Sequence, residues 1–134
     1  METRPDLQAL LAAHARIRPF IHRTPILTSS AMDSLAGASL FFKCENFQKV
    51  GAFKIRGATN AVLSLTDEQA AFGVATHSSG NHAAALALAA RNRGIAAHVV
   101  MPRNAPGIKV EAVRGYGGII TFCEPVSYTH LTLP

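Results

Sequence analysis

The sequence predicts an α/β fold in which a parallel sheet carries helices on both faces. Three observations point there. Short apolar runs at residues 73–76, 95–101 and 119–123 alternate with two helical patterns at residues 82–93 and 107–116. The connections between them are short and punctuated by Gly94, Pro102 and the Gly117-Gly118 pair. Strand, helix, strand, helix, strand with such spacing fits parallel pairing, because parallel neighbours need a crossover and cannot be closed by a tight turn. The crossovers should be right-handed.

Taken in order, Asp6 is placed to cap a helix through Leu7, Leu10, Leu11, His14 and Ile17, which Pro19 stops. Thr24 precedes Pro25 and is pushed out of the helical region, so residues 24–27 read as extended. Ser29 and Ser30 offer N-caps for a short helix at residues 31–35, closed by Gly37. Residues 39–44 read as a strand, and a helix runs from Gly57 or Ala58 to Leu65. One helical turn is expected at residues 67–71, ahead of the regular part of the chain. Pro106 opens the last helix at a position where proline is tolerated.

Composition narrows the classes. At 134 residues the chain is about one domain long. Thirteen Lys and Arg against eight Asp and Glu give a net charge of +5, but the cations are scattered and lack interleaved aromatic residues. That argues against a nucleic-acid surface and suits an anionic small molecule. Cys44 and Cys123 sit far apart in apolar runs and read as two buried thiols. The six histidines show no metal-ligand spacing, so no metal site is expected in this segment. The N-terminus lacks the apolar run of a signal peptide, and no run approaches the roughly 18 residues of a membrane span. No membrane partner is expected, and the compartment is read as cytoplasmic.

Two stretches carry chemistry. The first is residues 45–58, where Lys54 follows Phe53, is enclosed by Gly51 and Gly57, and leads into a helix. Apolar neighbours, Arg56 and a helix N-terminus all disfavour an ammonium there. An uncharged amine is what a nucleophilic or Schiff-base lysine requires. The second is the loop from His77 to Asn81, at the carboxyl end of a strand and entering a helix, where ligands of parallel sheets bind. Gly80 permits close backbone approach; Ser78, Ser79 and Asn81 supply polar partners, and the free amides of the next helix favour an anion. The competing reading, that these side chains merely cap the helix, has about even weight on spacing alone. There is no Gly-x-Gly-x-x-Gly after the strand, no P-loop, and no Gly-x-Ser-x-Gly elbow.

Together the two stretches resemble the fold-type-II (tryptophan synthase β-like) pyridoxal-phosphate enzymes of the threonine/serine dehydratase and serine racemase family. The segment Val50-Gly51-Ala52-Phe53-Lys54-Ile55-Arg56-Gly57 is similar to that family's cofactor-lysine motif, and Ser78-Ser79-Gly80-Asn81-His82 to its second hallmark. Arg23-Thr24-Pro25, Phe42-Lys43-Cys44-Glu45 and Met101-Pro102 agree as well, so the resemblance covers about residues 7–125.

The resemblance implies pyridoxal 5′-phosphate as cofactor, held as a Schiff base on Lys54, with Phe53 against its ring and Asn81 bonded to its phenolic oxygen. It implies that Lys54 also takes the α-proton, and that Ser78, Gly80 and His82 shape the grip on the substrate carboxylate. Ser79 matches the residue that serves as acid and base on the opposite face in the racemases. The implied activity is a serine or threonine ammonia-lyase, forming a 2-oxo acid and ammonia by β-elimination. Serine racemase is the alternative, and a truncated chain without catalysis of its own is the reading from another class. Family members are more than twice as long and usually homo-oligomeric, and the phosphate loop and divalent-metal carboxylates would belong to the absent C-terminal part. Residues 1–72 are then expected to open the large domain and residues 73–125 to form most of a small α/β domain. Residues 126–134 break the rhythm and read as a tail foreign to the family.

Overall fold

The computed structural model describes residues 5–125; the tail at residues 126–134 lies outside them. The chain runs through helix α1 (Leu7–Ile17), strand β1 (Ile26–Leu27), helix α2 (Ser30–Ala36), strand β2 (Phe42–Lys43), helices α3 (Lys54–Ser64) and α4 (Asp67–Ala70), and then β3 (Val74–His77), α5 (Asn81–Arg93), β4 (Ala97–Pro102), α6 (Gly107–Gly115) and β5 (Ile119–Cys123). The last three strands form a parallel sheet in the order β3-β4-β5.

The sequence places most of these elements to within a residue or two. The Asp6 side chain accepts from the Ala9 N–H, Ser29 accepts from Met32, and Thr66 with Gln69 forms a reciprocal capping box at α4. Gly37 and Gly94 end α2 and α5 in the left-handed conformation. Two elements differ. The strand expected at residues 39–44 shrinks to Phe42–Lys43 and pairs antiparallel with Ile26–Leu27, as a two-residue ribbon outside the main sheet. The helix expected from Gly57 begins at Lys54 instead. Gly57 has helical neighbours on both sides, and at that position its lack of a side chain does not stop propagation.

The core has two connected parts. Ala83, Ala84, Ala87 and Ala90 of α5 pack with Val110 and Val113 of α6 onto Ala97, Val99 and Met101, the alternate residues of β4 that face them. The small alanines let α5 lie close to the sheet. On its other side α5 presents Ala85, Leu86, Leu88 and Ala89 to Ile55, Ala58 and Val62 of α3, the most extensive helix–helix contact in the chain. So α5 is buried nearly all round, which accounts for an alanine-leucine sequence with no strong apolar stripe. The opposite face of the sheet carries Ala75, His98 and Ile119 in register and is exposed among the described residues. Leu35, Phe72 and Ile108 are also exposed. Cys44 and Cys123 are free and half-buried rather than fully enclosed.

Arg93, at the last residue of α5, fixes the direction of the α3–α5 pair. Its guanidinium donates to the carbonyls of Val62, Leu65 (2.8 Å) and Thr66 (3.4 Å), at and just beyond the C-terminus of α3. Both helices therefore end together, and they run parallel. Parallel macrodipoles repel, and a cation bonded to carbonyls at the paired C-termini offsets this. We predict that Arg93→Met lowers unfolding stability by about 2 kcal/mol in urea titration, with Arg93→Lys restoring part of it. An unchanged midpoint would remove Arg93 from this role.

Candidate active site

The starts of α3 and α5 also lie near each other, within electrostatic range through Lys54 and His82. Lys54 is the first residue of α3, and Asn81 the first of α5. Residues 78–80 form the connection between β3 and α5, shorter than the sequence implies, because His77 continues the strand and Asn81 is already helical. The Ser78 N–H donates to Val100 O at 3.1 Å, which extends the sheet ladder into the loop.

The ends that meet here are capped differently from the rest. Helices α1, α2 and α4 have side-chain N-caps, whereas α3, α5 and α6 have none. Ser78 turns its hydroxyl to the Gly80 N–H at 3.3 Å, and neither Ser79 nor Asn81 caps α5. The capping explanation for this loop therefore fails, and the first amides of α5 are left for a ligand. Two uncapped N-termini side by side favour an anion, a phosphate or a carboxylate.

The sequence-predicted residues lie at the start of α3 and at the loop leading into α5. The Lys54 Nζ lies 5.1 Å from the centroid of the Phe53 ring, which is 58% exposed. Lys54, Asn81 and His82 are exposed, and Ser78, Ser79 and Gly80 are half-buried. His82 sits within electrostatic range of Lys54: partial desolvation, then the Lys54 charge, then His77, hold its pKa below the usual 6.5. An imidazole so held is neutral at pH 7 and can accept as well as donate. Arg56, which the sequence places as a cation pressing on Lys54, instead gives two hydrogen bonds to Glu45 at 2.8 and 2.7 Å.

That pair belongs to a brace the sequence reading missed. Glu45 also accepts from the Thr24 hydroxyl at 2.6 Å, and Lys43 Nζ donates to Thr24 O. The buried Gln48 amide accepts from the His22 N–H and donates to the His22 carbonyl, both at 2.8 Å. These bonds tie residues 22–24 to the turn before α3. In that turn Val50 has φ 58° and Gly51 φ 66°. A β-branched residue there costs about 1–2 kcal/mol. Val50 holds the conformation by packing against both parts of the core. The brace thus aims the first turn of α3, and with it Lys54. A separation of 11 residues between Glu45 and Arg56 has no periodic signal that could have revealed it.

The junction thus gathers an amine at the start of α3 beside an aromatic ring, two hydroxyls in the loop before α5, and an amide at the start of α5. The pyridoxal-phosphate dependent enzyme family model matches residues 17–132, and the chain belongs to that family. It is 64% identical over 121 residues to a β-hydroxyaspartate dehydratase of Paracoccus denitrificans, covering 90% of this chain and 38% of that protein. It is 60% identical over 119 residues to serine racemase of Arabidopsis thaliana, covering 89% of this chain and 36% of the relative. The structure of maize serine racemase superposes with a TM-score of 0.86 at 57% identity, over 91% of this chain and 37% of that one. The fold is that of the fold-type-II enzymes, and the chain spans a little over a third of the relatives' length. No described helix is long and apolar enough to cross a membrane.

Two measurements check this geometry. Hydrogen bonding to Arg56 lowers the Glu45 pKa to about 2 from an ordinary 4.5, against desolvation and with help from Thr24. A depressed folded-state pKa gives stability that is complete above the unfolded value and lost as pH falls from about 4.5 towards 2. The unfolding midpoint should therefore fall more steeply between these values in the native sequence than in Glu45→Gln; equal slopes would contradict the brace. By NMR titration, the His82 midpoint should lie below 6.5 and rise in Lys54→Met. A midpoint indifferent to Lys54 would place the two apart.

Proposed function

We propose that this chain is the cofactor-anchoring segment of a pyridoxal-phosphate ammonia-lyase acting on a small β-hydroxy amino acid such as serine or threonine. The observation that carries this is the electrostatic proximity of Lys54, at the start of α3, to His82 at the uncapped start of α5. The donor set fits the cofactor: a primary amine for its aldehyde, the Phe53 ring beside it, and the Asn81 amide for its phenolic oxygen. When bound, pyridoxal phosphate supplies an electron sink for the charge left at the α-carbon.

The residues then divide the work. Lys54 would hold the cofactor covalently, and its Nζ would be the base that accepts the α-proton. Loss of the β-hydroxyl as water and subsequent hydrolysis give a 2-oxo acid and ammonia. Ser78, Ser79 and the first amides of α5 receive the substrate carboxylate, which the convergent helix starts attract. His82, neutral at pH 7, adds no competing charge.

A second reading, amino-acid racemisation, draws support from Ser79. Its half-buried hydroxyl makes no hydrogen bond among the described residues, which leaves it free to serve as an acid and base. The serine racemases among the relatives favour it, the dehydratase among them favours elimination. Homo-oligomer formation and a divalent-metal site in the remainder of the protein belong to the same proposal.

Incubation with pyridoxal phosphate followed by borohydride should trap one cofactor per chain on Lys54, read by peptide mass, and Lys54→Ala should abolish it. Trapping elsewhere would overturn the assignment. In the protein that carries this segment with its remaining part, Ser79→Ala should spare 2-oxo acid formation from L-serine while removing any D-serine formed. Loss of both alike would give Ser79 a different part in the site.

A further inference from the structure

Lys109 lies in the first turn of α6, outside every motif that marks the site, and its Nζ donates to Asn81 Oδ1 at 2.6 Å. The topology brings them together. In a parallel sheet both crossover helices start above the same strand edge, so the first turns of α5 and α6 are neighbours. The position is not one that helix electrostatics would choose. A cation in the first turn opposes the macrodipole, and the Lys54 ammonium already lies within electrostatic range of the start of α5. Among the described residues no carboxylate pairs with Lys109. Asn81 Oδ1 is its hydrogen-bond partner there.

An ammonium has donors only, so it can meet the amide at Oδ1 alone. With Oδ1 held, the amide cannot flip without setting its NH2 against the ammonium. We propose that Lys109 is a positioning residue of the site: it locks the Asn81 side chain with its Nδ2 donors turned away from α6 and presented to an acceptor oxygen. It also polarises the amide and strengthens those donors. This rests on the cofactor reading above, where the acceptor is the phenolic oxygen of pyridoxal phosphate. It gives α6, which supplies no motif residue, a direct hold on the cofactor contact.

The test uses Lys109→Met, Lys109→Arg, Asn81→Ala and the Lys109→Met/Asn81→Ala double variant. In cofactor-free protein, the Asn81 side-chain 1H–15N signals should move in Lys109→Met and stay near their native positions in Lys109→Arg. Pyridoxal phosphate affinity, measured by titration of the bound cofactor's visible band, should fall about tenfold in Lys109→Met. That loss should vanish when Asn81 is already alanine, which a purely structural lysine would not show. Unmoved amide signals, or an equal loss in both backgrounds, would overturn the proposal. Failure of the native protein to bind pyridoxal phosphate at Lys54 would overturn the cofactor reading instead, and the amide signals would still decide the Lys109 contact.

Discussion

The parallel packing of α3 on α5 is the constraint on which the rest of the structure depends. Two helices side by side with aligned dipoles are electrostatically unfavourable, and this pair is held by alanine-rich burial along its length and by Arg93 across its C-termini. At the far end the same alignment becomes useful. Two unsatisfied helix starts face one place, and that place is where Lys54 and residues 78–82 stand. The arrangement that strains the packing supplies the field that attracts an anionic ligand.

Caps show the same division of labour. Where a helix serves packing alone, its first turn is closed by Asp6, Ser29 or Thr66. Where helices α3, α5 and α6 open onto the junction, side-chain caps are missing. Serine and asparagine are present near α5, yet Ser78 bonds to Gly80 and Asn81 to Lys109. Residues that resemble caps by composition are released from capping. Behind them, Glu45, Arg56, Thr24 and Gln48 hold the turn that carries Val50 at positive φ and aim α3 from the opposite side.

How legible this was depends on the range of the interaction. Local signals succeeded: Gly94 and Gly37 ended their helices, and the alternation from Val74 to Cys123 gave the parallel sheet. Lys54 and residues 78–82 stood out because glycine and small polar residues clustered at strand–helix joints. The start of α3 was misplaced because Gly57 reads as a breaker, while tertiary packing of Ile55 and Ala58 carries the helix back to Lys54. The short ribbon of Ile26–Leu27 with Phe42–Lys43, the Glu45–Arg56 brace and the Lys109–Asn81 contact join residues 11 to 28 apart without periodicity. Such pairs become visible only once the topology is known.

The central claim is that the paired starts of α3 and α5 form one cofactor site anchored by Lys54. A crystal structure of the protein with pyridoxal phosphate tests it most directly. Continuous density should run from Lys54 Nζ to the cofactor, with the Asn81 amide within hydrogen-bonding distance of its phenolic oxygen. Density joined to another lysine, or a cofactor lying away from the start of α5, would contradict it.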